Sequence, residues 1–324
     1  MTAGESGDST GLTLERVSKS FEGVHAVSEL SLRVPEGLIF GFLGPNGAGK
    51  TTTMRVILDI LRPDTGAVRW RGRPVDDQTR RRFGYLPEER GLYPKMKVLD
   101  QLVFFARLYG MPRAEAAAAA ERWLERFGIA DRRGSRLEEL SRGNQQKVQV
   151  LVALVHDPDL ALLDEPFSGL DPLNSELLEA ALRDLRDRGK TVLYSSHRLE
   201  QVEDLCEEVA IIARGQLRLS GNLEAIRDSA ARRILHVRTA SRIPPDITGL
   251  PLDPEEPGRD YARFSLREGA DPQLVLQVLA ARETVEYFAV ERPSLQEIFI
   301  EATADGAGSS NGDGVEVADG VEAV

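Results

Sequence analysis

The stretch Gly44-Pro45-Asn46-Gly47-Ala48-Gly49-Lys50-Thr51 constrains the fold of this chain more than any other. It satisfies G-x-x-x-x-G-K-[ST], the pattern of a phosphate-binding loop. Glycines at these positions let backbone N–H groups close around phosphate oxygens. The helix that follows directs the positive end of its dipole at the same anion. Such a loop needs an apolar strand before it and a helix after it. Leu38–Leu43 is a short apolar run, and Thr51–Leu61 carries helical spacing. An incidental glycine-rich turn would lack both flanks, so a nucleotide site is expected over Gly44–Thr51, with Thr52 beside it. Lys50 would reach the β- and γ-phosphates, and the Thr51 hydroxyl would ligate Mg2+.

The rest of the chain alternates strands and helices. Leu12, Leu14 and, slightly out of phase, Val17 suggest a strand, and Val27–Val34 a second. Arg113–Phe127 should be helix, starting after Pro112. Leu160–Leu163 is a continuous apolar run, as a buried parallel strand requires. Asp164 and Glu165 leave its carboxyl end together, where ligands of open α/β sheets bind. Asp164 is placed to hold Mg2+ through water, and Glu165 to polarise an attacking water. Acids often merely start loops, so this pair gains its meaning from the phosphate loop. A helix over Asn174–Arg188 ending at Gly189, a strand Thr191–Tyr194 and a helix Arg198–Cys206 follow. Val209–Ala213 and Gln216–Leu219 flank Arg214-Gly215 as a hairpin. This alternation implies an α/β fold with a mainly parallel sheet.

With 324 residues and roughly 150 per domain, about two domains are expected. A boundary falls near residue 230. Residues 231–303 read as a small α+β domain with no catalytic constellation: Ile234–Val237, a Pro-rich stretch Ile243–Pro257, a strand Tyr261–Leu266, a helix Pro272–Ala281, a strand Val285–Val290 and a helix Ser294–Ala302. The tail 304–324 carries Asp305, Asp313, Glu316, Asp319 and Glu322 but no Lys or Arg, and like residues 1–10 it reads as disordered. A net charge of −11 argues against nucleic acid as a partner, because phosphate contacts need a cationic face. Cys206 stands alone, which excludes an intrachain disulfide and a Cys-based zinc site. No apolar run approaches the ~18–20 residues that span a bilayer. The polar N-terminus does not read as a signal peptide. A cytoplasmic protein is expected, with any membrane role borrowed from a partner.

Leu140-Ser141-Arg142-Gly143-Asn144-Gln145-Gln146 opens a helix shortly before the Asp-Glu strand. It resembles the signature of ATP-binding cassette (ABC) ATPases, usually Leu-Ser-Gly-Gly-Gln. Ser168-Gly169-Leu170-Asp171-Pro172 resembles their D-loop, and Ser195-Ser196-His197 their switch histidine. Phe21 stands where the family places an adenine-stacking aromatic. The resemblance covers residues 11 to about 230. It implies a P-loop NTPase cassette with a mainly parallel sheet, an antiparallel N-terminal β part and an inserted helical subdomain over about 88–158. It further implies that two cassettes dimerise head to tail on ATP and Mg2+. ATP would lie between the phosphate loop of one copy and Ser141 and Gly143 of the other, with Asp171 nearby. Glu165 would act on the water, and His197 would hydrogen-bond the γ-phosphate.

Two departures from the family pattern stand out. Arg142 and Asn144 replace signature residues, and Glu88, within Gly84–Tyr93, stands where the family has Gln. A carboxylate at Glu88 still offers an oxygen to Mg2+. These variants resemble ABC-2-type exporter ATPases related to sodium-efflux subunits, as does Arg292-Pro293-Ser294-Leu295-Gln296-Glu297-Ile298-Phe299-Ile300. The implied role is the energy-coupling ATPase of an exporter, peripheral at the cytoplasmic face of the membrane, with a separate permease supplying the pore. Ribosome-acting ABC ATPases are the alternative, but they typically carry two cassettes and a basic linker. Chromosome-maintenance members insert long coiled coils, and the interval Lys50–Ser141 is too short for one. A sensor without turnover would have no need of Glu165.

Overall fold

Leu12, Leu14 and Val17 are all buried although their spacing breaks the two-residue period of a strand. The computed structural model describes residues 11–89, 91–196, 199–229, 233–241, 245–255, 261–267 and 269–304. In it, β1 (Leu12–Phe21) bulges against antiparallel β2 (Val24–Val34) between Leu14 and Val17, where Arg16 adopts φ 44°. The extra residue turns Val17 back to the inner face. The chain continues through β3 (Ile39–Leu43) and α1 (Lys50–Ile57), then returns beside β1 as β4 (Thr65–Trp70) and β5 (Arg73–Pro74). These strands form an antiparallel sheet in the order β2-β1-β4-β5.

After α2 (Asp77–Arg80), β6 (Phe83–Leu86) enters the central sheet. Then come α3 (Val98–Leu108), α4 (Arg113–Arg126) and α5 (Arg142–Leu154), the helical insertion. β7 (Leu160–Asp164), α6 (Pro172–Asp187), β8 (Thr191–Ser196) and α7 (Leu199–Leu205) follow, and then the hairpin of β9 (Glu208–Ala213) and β10 (Gln216–Asn222). The central sheet has the order β10-β9-β3-β8-β7-β6 and is parallel except for β10. Strands β3, β7 and β8 are buried throughout, as apolar runs covered on both faces must be. Alternate residues serve two cores. Ile39, Leu43, Ala161 and Leu163 join the core of the helical layer, whereas Phe40, Phe42, Leu160 and Leu162 join that of the N-terminal sheet and α1.

Several helix boundaries differ from the sequence reading, and two of them have a clear local cause. α1 stops at Ile57, not Leu61, because Asp59 takes the left-handed φ of 54°. The Asp59 N–H bonds Val56 O at 3.0 Å and the Ile60 N–H bonds Arg55 O at 2.9 Å, which together close a Schellman cap. α6 starts at Pro172, not Asn174, since Asp171 caps it and proline suits the first helical position.

Beyond α8 (Leu223–Ser229) come β11 (Arg233–Thr239), β12 (Leu252–Pro254), β13 (Ala262–Leu266), α9 (Pro272–Arg282) and β14 (Val285–Glu291). A third, antiparallel sheet in the order β12-β13-β11-β14 encloses a small core of Leu235, Val237, Phe264, Val275 and Leu279. The last helix, α10 (Leu295–Ala304), leaves that core. Its Leu295 and Ile298 are buried in the core of the helical layer, and Glu203 of α7 accepts the Leu295 N–H at 2.6 Å. The expectations for residues 1–10 and for the tail from 305 lie outside the described residues. Among those residues, no helix is long and apolar enough to cross a membrane.

Candidate nucleotide-binding site

The loop between β3 and α1 has the conformation its glycines permit. Gly49 holds φ 106°, and a Cβ there would meet the Ala26 carbonyl oxygen at 2.3 Å. Nothing larger than glycine fits so close an approach. The first turn of α1 has neither a side-chain cap nor an acidic residue. Its N–H groups and dipole are thus left for an anion. The ammonium of Lys50, itself buried, lies in the loop and donates to Gly44 O at 2.6 Å and Pro45 O at 3.2 Å. Burial lowers its pKa below the ordinary lysine value, against the opposing pull of Glu165, Asp164 and Glu88.

One cleft of about 510 Å³ is lined by Asn46, Gly47, Ala48, Gly49, Lys50, Thr51, Thr52, Glu88, Asp164 and Glu165, together with Ala26. Thr51 Oγ1 donates to Asp164 Oδ2 at 2.6 Å, which leaves the hydroxyl lone pairs for a metal. Ser195 Oγ donates to the other carboxylate oxygen, Oδ1, at 2.5 Å. Glu165, just past the end of β7, adopts φ 50°, and its N–H donates to Ser195 Oγ at 3.0 Å. The hydroxyl and carboxylate donors of Thr51, Asp164 and Glu88 are all hard oxygens. They fit Mg2+, which binds through one or two carboxylates plus substrate phosphates and keeps several waters. Among the described residues, no group of three or more acids, histidines or cysteines is gathered to hold a metal ion.

Comparison with known proteins gives the family. Residues 27–168 match the family described as ABC transporter, and residues 221–303 match the C-terminal domain of DrrA1-3-like ATP-binding proteins. The ABC transporter ATP-binding protein YhaQ of Bacillus subtilis is 45% identical over 292 residues, 90% of this chain and 97% of its own length. The chain belongs to the ATP-binding proteins of ABC transporters. ATP is therefore the nucleotide, and its hydrolysis coupled to transport is the activity. The Nod factor export ATP-binding protein I of Burkholderia thailandensis is 33% identical over 307 residues, 90% of this chain and 96% of its own. A solved ATP-binding subunit of an ABC transporter superposes with a TM-score of 0.64 at 31% identity, over 68% of this chain and 92% of that one.

Other residues singled out in the sequence lie elsewhere on the ABC cassette. Ser141 caps α5, accepting the Asn144 N–H at 3.4 Å, and with Gly143 stays outside the cleft of its own chain. Asp171 caps α6 through the Asn174 N–H at 2.9 Å. Phe21, at the end of β1, is 43% exposed with the Lys19 ammonium 5.5 Å from its ring centre. His197 lies outside the described residues. Two residues escaped the sequence reading. Ala26 enters the cleft from β2. Gln149, buried in α5, donates from Nε2 to Pro87 O at 2.9 Å and Glu89 O at 3.1 Å, so it grips the backbone on both sides of Glu88. Its position between Val148 and Val150, at the head of the apolar run Val150–Val155, is its only signal.

Proposed function

We propose that this ABC cassette powers an ABC-2-type exporter, working as an ATP-closed homodimer docked on a separate permease at the cytoplasmic face of the membrane. The observation that carries the reading is the split between two half-sites. The phosphate loop, Glu88, Asp164 and Glu165 converge on one cleft, while Ser141 and Gly143 at the start of α5 stand outside it. A second copy would complete the site with its own α5 N-terminus, whose first turn carries no acid. The export printed in the name of the Nod factor relative and the DrrA-like match over 221–303 support the exporter class.

In this mechanism the loop amides and Lys50 bind the phosphates and oppose charge on the transferring phosphoryl group. When bound, Mg2+ supplies further neutralisation of the β- and γ-phosphate oxygens. Thr51, Asp164 and Glu88 would hold it. Glu165 accepts a proton from the attacking water, and His197 would hydrogen-bond the γ-phosphate. Hydrolysis removes the bridging phosphate, so the dimer reopens. Tyr93, Phe104 and Leu108 form an exposed apolar surface just beyond Glu88, with the Tyr93 and Phe104 ring centres 5.8 Å apart. That surface suits an apolar permease segment whose movement follows the Glu88 loop.

Glu165→Gln tests the central claim, because it removes the base and leaves the phosphate contacts in place. Turnover is expected to fall about 10²–10⁴-fold. Size-exclusion chromatography with ATP should show a stable dimer. A variant that hydrolyses ATP at the native rate, or stays monomeric with ATP bound, overturns the mechanism. For the partner, the tagged chain should co-purify from detergent-solubilised membranes with a multi-span protein. Recovery wholly outside the membrane fraction overturns the permease.

A further inference from the structure

Glu165 holds a backbone conformation that a residue with a side chain rarely adopts. A non-glycine φ of 50° is strained and persists only where the surroundings enforce it. Its N–H donates to the hydroxyl of Ser195, a fully buried residue of β8 whose register partner on β7 is Asp164. One hydroxyl group serves both acids: it donates to Asp164 Oδ1 and accepts from the Glu165 N–H. The Glu165 N–H lies where β7 ends. Without Ser195 it would lose this acceptor in a half-buried position, and the turn would lose one of the bonds that hold it. Asp164, too, would lose the bond that turns its second oxygen towards Thr51.

We propose that Ser195 is a positioning residue for ATP hydrolysis, holding Glu165 in its left-handed turn and fixing the rotation of the Asp164 carboxylate. Ser195 does not line the cleft, so it acts through the two acids and touches neither nucleotide nor water. Asp164 and Glu165 therefore behave as one unit. A displacement of β8 at Ser195 moves the metal-facing and water-facing carboxylates together. This inference rests on hydrolysis at the site described above, and a wild-type chain that binds ATP without turnover would sink that reading before any Ser195 variant is made.

The test compares Ser195→Ala with Ser195→Thr in the full-length chain. Ser195→Ala removes both bonds, and a misplacement of about 1 Å at a reacting group can cost about 10²-fold. Its kcat should fall about 10- to 100-fold, while the Kd for labelled ATP without Mg2+ stays within about threefold. The Mg2+ concentration giving half-maximal ATP binding should rise. Ser195→Thr keeps the hydroxyl on a strand that tolerates β-branching, and should restore most of the rate. In a Glu165→Gln background at saturating Mg2+, Ser195→Ala should add clearly less than its full loss in single-turnover rate, since only its action through Asp164 remains. A kcat for Ser195→Ala within twofold of wild type overturns the proposal. So does a threonine variant no better than alanine, or a full additional loss in the Glu165→Gln background. Should Ser195→Ala fail to fold, Ser195→Cys, a weak donor of similar size, takes its place in the same comparisons.

Discussion

Lys50 occupies the phosphate loop as an internal counter-charge. Its ammonium bonds two loop carbonyls, in a position where burial already disfavours the charged form. Three carboxylates offset part of that cost beside an otherwise acidic cleft. An arriving polyphosphate would replace weak carbonyl acceptors with charged oxygens, and on the proposed role Lys50 would gain most of its favourable interaction only on binding. Hydrogen bonds to charged groups are worth about 1.5–3 kcal/mol, or roughly 10- to 150-fold in affinity. Lys50→Ala is expected to weaken ATP binding by about that factor and to lower turnover as well. Equilibrium titration with labelled ATP reads the first effect, and phosphate release the second. Unchanged values for both would remove Gly44–Thr51 from the site.

At the scale of elements, legibility follows locality. β3, β7 and β8 are apolar runs and legible as such, whereas the start of α6 is read two residues late, at Asn174, although its cap and its proline stand side by side at Asp171 and Pro172. β6 escaped because it is four residues with a glycine inside, and α3 because it begins after Lys97, which offers no side-chain cap to mark the start. The meeting of Glu88 with Asp164 and Glu165 is legible only through family resemblance, since it depends on the crossover that sets β6 beside β7. His156 is another case: nothing local marks it, yet its ring joins three elements. It follows α5, stacks on Tyr109 after α3 at 3.7 Å between ring centres, and bonds Phe83 O of β6 at 3.2 Å. Burial pushes its pKa from 6.5 down to about 4, which outweighs the pull of Phe83 O and Asp157. The folded state keeps the ring neutral while the unfolded chain protonates, so this contribution is present above pH 6.5 and is lost as pH falls towards 4. At about 1.4 kcal/mol per pH unit, up to about 3 kcal/mol is at stake. Thermal unfolding of wild type between pH 7 and 4.5 should therefore fall more steeply than that of His156→Phe, which keeps the stack on Tyr109. Parallel curves would place the acid sensitivity elsewhere.

For the whole molecule, the question is how the C-terminal sheet is joined to the ABC cassette. Its own core is small, and a unit of this size buries too little apolar surface to be more than marginally stable alone. α10 supplies the connection. Ser294 and Glu297 form a capping box at its start, with the Ser294 N–H on Glu297 Oε2 at 2.8 Å and the Glu297 N–H on Ser294 Oγ at 3.3 Å. Glu203 of α7 adds a bond to the Leu295 N–H, and Leu295 is 0% exposed among cassette residues. The family-like run Arg292–Ile300 thus owes its residue types to packing: a cap, an apolar anchor at Leu295, and a second at Ile298 one turn on. Leu295→Ala opens a cavity in the cassette core, and such substitutions cost about 2–5 kcal/mol. Because that core also carries β3, β7 and β8, the loss should appear in the unfolding of the cassette itself. Differential scanning calorimetry of the full chain should show its main transition move to lower temperature, and saturating ATP should recover part of the shift by binding only the folded state. If Leu295→Ala leaves the ATP-stabilised transition where it was, α10 anchors only the appendage, and the cassette folds without it.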